Sequence, residues 1–322
     1  MRKHKLQVIL LIAIVLVLAA CQAEVAEDDG QITIGYVTKS ATNQGWILIN
    51  QGAADAAAEA GIPLITLGPA QQGSLEGQLS TIEDMTARGV DALAIAPVDS
   101  AGVAPAVEQA MEQGIPVVAI DTAVEGADVT SFVATDNLGA ANMQGEWVAE
   151  HIADDGEIIL VNGLVAQSTG RDRRDGFVEI IEAQMPGVTI YQVDTEWSQE
   201  QAQNGVEDLL QAHPDVSFIA CAWDGGTMGA IAALQTLGYE PGDVTLVGFD
   251  GAPNALQAMR DGWVQANVAQ QLYKMGYQGI EAAIAAANGE EVEARIDTGA
   301  FLVVPDNVEA FIEDNRLGAF MP

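Results

Sequence analysis

Positive charge is what this chain most lacks. Its 322 residues include 46 Asp and Glu but only 12 Lys and Arg. Three of those twelve, Arg2, Lys3 and Lys5, precede every acidic residue. The rest of the chain sets nine cations against 46 anions, a net charge of −37. Such an excess makes nucleic acid and anionic membrane faces poor partners, because both repel it. What it does provide is a solvated acidic surface.

Cysteine and histidine are nearly as scarce. The chain has two Cys, and the first, Cys21, closes an N-terminal apolar run, so Cys221 has no downstream partner for a disulfide. Cys221 lies in the apolar stretch "SFIACAW" and reads as a small buried residue. The three His, at 4, 151 and 213, are scattered, and no Cys/His spacing suits a metal. A Walker A sequence, a Gly-x-Ser-x-Gly elbow and a Cys/His nucleophile pair are all missing. The sequence thus gives no reason to expect a metal or cofactor, or an enzyme. One stretch resists that conclusion. Gly225-Gly226-Thr227-Met228-Gly229 follows a β-rich run and opens a helix, as a dinucleotide fingerprint does, but the pattern is incomplete. A tight turn into a closely packed helix accounts for it more simply.

The N-terminus is built for export. Four early positive or imidazole residues, Arg2 to Lys5, precede Leu6–Ala20, which is almost wholly apolar. That run falls short of the roughly 20 residues of a membrane-spanning helix and has the layout of a secretory signal. It ends Leu18-Ala19-Ala20-Cys21, which resembles a bacterial lipobox, in which the Cys is lipidated and becomes the new N-terminus. Residues 1–20 are therefore expected to be a lipoprotein signal peptide. Residues 21–30, acidic and unpatterned, would be a tether holding the protein at the outer face of the cytoplasmic membrane or in the periplasm.

From Gln31 onward two periodicities alternate. Short β-rich runs occur at Ile32–Thr38, Leu64–Leu67, Ala92–Ala96, Val117–Ile120, Ile158–Val161, Ile190–Val193, Phe218–Ala222, Val244–Phe249 and Val264–Ala269. Between most of them lie segments with apolar residues at helical spacing, including Ile47–Ala60, Leu75–Arg88, Val103–Gln113 and Val206–Ala212. Gly-Ile-Pro at 61–63 and again at 114–116 marks the same helix-to-strand junction twice. Alternation of this kind predicts an α/β fold with parallel sheets buried on both faces. The strands are too many for one small open sheet, so two βα-repeat domains or one closed barrel are required.

In open parallel sheets, ligands gather outside the carboxyl ends of the strands. Those ends carry unusual residues here. Trp46 follows the first run, Asp121-Thr122 the fourth, and Arg171 to Arg174 the run "IILVNGLVAQSTG". Trp197 follows "TIYQVDTE", Trp223 follows "FIACA", and Asp250 ends "TLVGFD". Together they describe a polar cleft walled by aromatic rings. That inventory suits a sugar or polyol, whose C–H faces pack on indole and whose hydroxyls need carboxylate, amide or guanidinium partners.

The stretches "VDALAIAPVDSAGVAPAVEQAMEQGIPVVAIDT", "VATDN", "GRDRRDGF", "LLQAHPDV", "VGFDGAPNALQAM" and "ANVAQ" make the resemblance specific. The chain resembles the type I periplasmic solute-binding proteins of the ribose/galactose-binding group, which serve ABC sugar importers, from about Gln31 to Val304. The resemblance implies two Rossmann-like lobes joined by a three-crossing hinge, with crossings near Thr135/Asp136, Gln270/Gln271 and Asp297/Thr298. The N-terminal lobe would comprise 31–135 and 271–297, the C-terminal lobe 136–270 and 298–322. It places Asn43, Trp46, Asp121 and Thr122 in the first lobe's half of the site, and Arg171, Trp197, Trp223, Asp250 and hinge residue Gln270 in the rest, with Arg173 and Arg174 left to lobe-internal ion pairs. It implies a monomer that closes on its sugar and docks on permease subunits. The repressor branch of the fold carries a DNA-binding helix-turn-helix where this chain has a signal and tether.

Three positions depart from the ribose-binding pattern. Gly45 stands where a second aromatic is usual, Thr122 where the pattern has Arg, and Trp223 where it has Asn. Each lost hydrogen-bond partner would cost about 1–3 kcal/mol at a buried ribose hydroxyl, so pentose, hexose, deoxysugar and sugar alcohol all stay open. Two other functions compete: a sensory receptor subunit, as for autoinducer-2, and a nucleotide-dependent enzyme built on Gly225–Gly229.

The acid excess also suggests an adaptation to high salt, a hypothesis that rests on the −37 net charge alone. Unfolding measured across a NaCl series should then show a melting temperature that rises with salt into the molar range, since screening relieves like-charge repulsion. A flat or falling series would sink the idea.

Overall fold

The computed structural model describes residues 31–68 and 73–322. The leader, Cys21 and the acidic tether lie outside the described residues. The described chain runs β1 (Ile34–Val37), α1 (Gln44–Ala60), β2 (Leu64–Leu67), α2 (Leu75–Arg88), β3 (Ala92–Ile95), α3 (Ala104–Glu112), β4 (Val117–Ile120) and β5 (Ser131–Ala134). It continues with α4 (Asn137–His151), β6 (Glu157–Asn162), α5 (Ser168–Gln184), β7 (Thr189–Asp194), α6 (Gln199–Ala212) and β8 (Phe218–Cys221). Next come α7 (Asp224–Leu237), β9 (Thr245–Asp250), α8 (Pro253–Arg260), β10 (Ala266–Gln270), α9 (Leu272–Ala287), β11 (Arg295–Asp297), β12 (Ala300–Val303) and α10 (Val308–Asp314).

Two six-stranded sheets result. The first has the order β11-β5-β4-β3-β1-β2 and is parallel throughout. The second has the order β12-β10-β9-β8-β6-β7, parallel except for β12, which pairs antiparallel to β10. Helices cover both faces, so β1, β3, β4, β8 and β10 are buried along their whole length. That burial explains why these strands read as unbroken apolar runs instead of alternating ones.

The chain passes between the sheets three times, at Thr135–Asp136, at Gln271 and at Thr298–Gly299. At the first and third passages Thr135 and Thr298 meet, with hydroxyls 3.3 Å apart and both side chains buried. Two lobes with their own parallel-dominated sheets, joined by three strands of chain, are the architecture the sequence implied. A closed barrel is excluded.

Local chemistry fixes the element that matters most for the site. The Asn43 side chain accepts from the Trp46 amide (3.2 Å) and caps α1, so the helix starts at Gln44 and Trp46 sits in its first turn. The far end stops at Gly61, at φ 67°, the left-handed conformation that glycine adopts without strain. α1 packs on α9 at very close range. A Cβ on Gly52 would lie 2.0 Å from the Tyr273 carbonyl oxygen, and one on Gly276 would lie 1.9 Å from that of Ile49. Tyr273 and Tyr277 on α9 then donate to Asp55 and Glu59 on α1.

The strands β5, β11 and β12 lie outside the apolar runs. All three flank a crossing; β11 and β12 are edge strands with partly or fully exposed residues, and β5 opens on Ser131, so none reads as a buried apolar run.

Candidate functional site

A cavity of about 680 Å3 lies between the lobes, at the carboxyl ends of the central strands of both sheets. Lys39, Asn43, Trp46 and Asp121 line it from the first lobe; Arg173, Trp197, Trp223 and Asp250 line it from the second, with Gln270 at the crossing. Backbone strain gathers here too. Among the described residues four non-glycines have positive φ, and three of them are Asp121 (67°), Trp197 (59°) and Asp250 (116°). Such conformations cost on the order of 1–3 kcal/mol each and persist where the surroundings over-determine them.

In the first lobe the Lys39 ammonium is buried and spends all three N–H groups. It donates to Asp121 Oδ2 (2.8 Å), Thr122 Oγ1 (2.6 Å) and Gln167 Oε1 (3.0 Å), and lies 5.5 Å from the centre of the Trp46 ring. Burial alone would raise the Asp121 carboxyl, but the Lys39 and Arg173 cations overcome it and hold the group below the usual carboxylate range. Burial pushes the Lys39 ammonium down, and Asp121 opposes that.

The second lobe repeats the arrangement. Buried Arg173 donates to Asp250 Oδ1 (3.0 Å), Asn137 Oδ1 (2.8 Å) and the Ala222 carbonyl (2.8 Å), with its guanidinium 4.0 Å from the Phe249 ring centre. Burial raises the Asp250 carboxyl, and Arg173 opposes the rise. Asp224, directly behind, is pushed well up by burial and by the Asp250 charge. Its carboxylate takes the Ala252 amide (2.7 Å), so Asp224 rather than Asp250 serves the start of α8.

Glycines seat the aromatic walls. A Cβ on Gly163 would lie 2.0 Å from the Trp197 ring, so that ring rests on bare backbone. Trp197 and Trp223 meet edge to face at 5.2 Å. Cβ atoms on Gly225 and Gly226 would strike the Trp223 ring at 2.5 and 2.7 Å, and one on Gly229 would lie 2.5 Å from the Gln199 carbonyl oxygen. The Gly225–Gly229 stretch is thus explained by Trp223 folding over the start of α7 and by α6–α7 packing.

Of the nine residues singled out from sequence, seven line the cavity: Asn43, Trp46, Asp121, Trp197, Trp223, Asp250 and Gln270. Thr122 stands behind them, wholly buried, its hydroxyl donating to Asp121 Oδ2 (2.7 Å) and accepting from Lys39. Arg171 is not among the residues that line the cavity. It lies at the rim, where it ion-pairs with Glu125 of the other lobe and donates to the Val165 carbonyl (2.7 Å). The reason is helical geometry: Thr169 and Arg173, four apart on α5, share the face that lines the cavity, and Arg171 is rotated off it. Arg173 does make the ion pair within its lobe that the sequence suggested, and it lines the cavity as well.

Lys39 and Gln167 were missed. Gln167 is buried, accepts from Lys39 and from Trp197 Nε1 (3.0 Å), and donates to the Val98 carbonyl (2.9 Å) across the lobes. Nothing in its sequence context marks it. Lys39 did carry a signal, since it is one of only two Lys beyond the leader, with Lys274 the other.

Comparison with known proteins now decides the family. A family model described as a periplasmic binding protein domain matches residues 34–291. The chain belongs to the periplasmic binding proteins. It is 32% identical over 272 residues to the ribose import binding protein of Salmonella typhimurium, covering 84% of this chain and 90% of that one. A periplasmic solute-binding protein from Actinobacillus succinogenes with bound D-allose superposes with a TM-score of 0.81 at 26% identity, covering 87% of this chain and 100% of the other. One from Mycobacterium smegmatis with bound glycerol gives 0.80 at 30% identity, over 87% and 96%.

The two arginines give a direct test of the cavity. Arg173→Met should reduce affinity for a bound sugar by at least about 50-fold and lower the melting temperature, because it strands a buried carboxylate. Arg171→Ala should change affinity less than about fivefold, the scale of a partly exposed ion pair. Calorimetry on both variants checks this, and equal effects would contradict the assignment.

Proposed function

We propose that this protein is the extracytoplasmic sugar-binding component of an ABC importer, holding a neutral monosaccharide or sugar alcohol between its lobes. Charge favours a neutral ligand, because Lys39 with Asp121 and Arg173 with Asp250 cancel pairwise and the remaining lining charge, Glu196, is exposed to solvent. The aromatic rings offer faces for C–H surfaces of a sugar. The observation that carries the reading is Gln270. Its Nε2 donates to Asp250 Oδ1 (2.7 Å), while its buried Oε1 has no partner among the described residues. A buried acceptor left unpaired costs about 1–3 kcal/mol. A sugar brings several hydroxyls, each with one O–H to donate and lone pairs to accept, so separate hydroxyls serve Gln270 Oε1, Asp121 Oδ1 and Asn43 Nδ2, none of which has a partner among the described residues.

The relatives point the same way: one is a ribose import binding protein, and the two solved structures hold D-allose and glycerol. In the proposed mechanism residues 31–135 with 271–297 form one body and 136–270 with 298–322 the other. Contacts from both bodies exist together only when the lobes are closed, so the sugar shifts the population toward the closed form that a permease engages. No bond is made or broken.

A thermal-shift screen over monosaccharides, polyols, nucleosides and NAD, followed by calorimetry, tests the assignment. At least one monosaccharide or polyol should raise the melting temperature in proportion to its affinity. Trp197→Ala and Gln270→Ala should each weaken that ligand at least about tenfold. Stabilisation by NAD or nucleosides alone, with no sugar active, would overturn the reading.

Anchoring through a lipid on Cys21 belongs to the same proposal, supported by the apolar leader and Leu18-Ala19-Ala20-Cys21. In a bacterial host the wild type should fractionate with membranes and Cys21→Ser should not; membrane retention of the variant would rule the anchor out.

A further inference from the structure

Lys39 is an odd residue to find in a sugar cleft built this way. A buried carboxylate facing a polyol has two oxygens, and the usual economy is to give one to each of two neighbouring hydroxyls. Asp121 does not have two to give. Its Oδ2 already accepts from Lys39 Nζ at 2.8 Å and from Thr122 Oγ1 at 2.7 Å, while Oδ1 has no partner among the described residues. The lysine in turn has no N–H left for a ligand, since its other two go to Thr122 and Gln167. Chance placement is a weak explanation. Beyond the leader the chain keeps two Lys among 46 acidic residues, and one of the two is buried against this carboxylate.

We propose that Lys39 is a specificity-determining residue of the cleft: its ammonium stands in for a ligand hydroxyl at Asp121 and leaves that carboxylate one oxygen for the sugar. The inference rests on the cleft binding a sugar or polyol. Its content is a selectivity, namely that the protein tolerates ligands lacking one of two neighbouring hydroxyls on the Asp121 side. The same ammonium reaches Gln167 in the other lobe, and Gln167 holds the Trp197 indole. Lys39 thus links the Asp121 side of the cleft to the wall that carries Trp197.

The experiment takes the sugar that binds most tightly in the screen and its full set of monodeoxy analogues, and measures each against wild type and Lys39→Ser. In wild type, one deoxygenation within a vicinal pair should cost less than about threefold. In Lys39→Ser, Oδ2 keeps the Thr122 hydroxyl but loses the ammonium, and the vacated lone pair accepts the ligand hydroxyl, so the same deletion should cost at least tenfold. Identical deoxy profiles in the two proteins would overturn the proposal while leaving sugar binding itself intact; absence of any sugar ligand would instead defeat the functional reading.

A second measurement does not depend on the variant folding. With the leader removed the protein contains two lysines, so a 15N-lysine-labelled sample gives at most two side-chain ammonium signals. One of them should be protected from solvent exchange and stay so when sugar binds. If sugar binding releases that ammonium into rapid exchange, the ligand displaces Lys39 from Asp121 and the proposal fails.

Discussion

The cleft depends on two buried ion pairs, one in each lobe. Lys39 with Asp121 and Arg173 with Asp250 put four charges where water has little access, and each is stabilised there by its partner. Their shared geometry has an architectural cause. Parallel strands all end on the same side of a sheet, so β4 and β9 deliver Asp121 and Asp250 to the same gap from opposite lobes. The cations come from elsewhere in each lobe, Lys39 from the loop before α1 and Arg173 from the second turn of α5. The two ion pairs balance inside the pocket, and the remaining charged lining residue, Glu196, is exposed, so the buried part is polar without preferring an ionic ligand.

Much of this could be read from the residues in order. The apolar runs marked nine of the strands because parallel sheets bury both faces; strand-end positions then pointed to Trp46, Asp121, Trp197, Trp223 and Asp250, the family resemblance added Asn43 and Gln270, and all seven line one cavity. What failed, failed for identifiable reasons. Arg171 and Arg173 are two residues apart in a motif whose helix had no fixed phase until α5 was seen to start at Ser168, and 200° of rotation separates their directions. Gln167 owes its importance to Val98, Lys39 and Trp197, all remote in sequence, and no local pattern records such a meeting. Lys39 is different: its rarity was visible, but rarity names a residue without naming its partner.

The glycines show how shape, rather than chemistry, carries part of the specificity. Trp197 and Trp223 are wide rings held in narrow places, and Gly163, Gly225 and Gly226 create those places by having nothing to contribute. A run of glycines at a helix start therefore has two meanings that sequence alone does not separate: room for a phosphate, or room for an indole.

The contact between α1 and α9 has a mechanical side. Gly52 and Gly276 let the two helices approach until backbone touches backbone, too close for one to slide past the other. α9 begins one residue after the Gln271 passage, and α1 begins one residue after the Asn43 cap. The Gln271 passage and the turn that carries Trp46 are therefore the starts of two helices locked backbone to backbone, so the position of one wall of the cleft is set by the helix that follows a crossing.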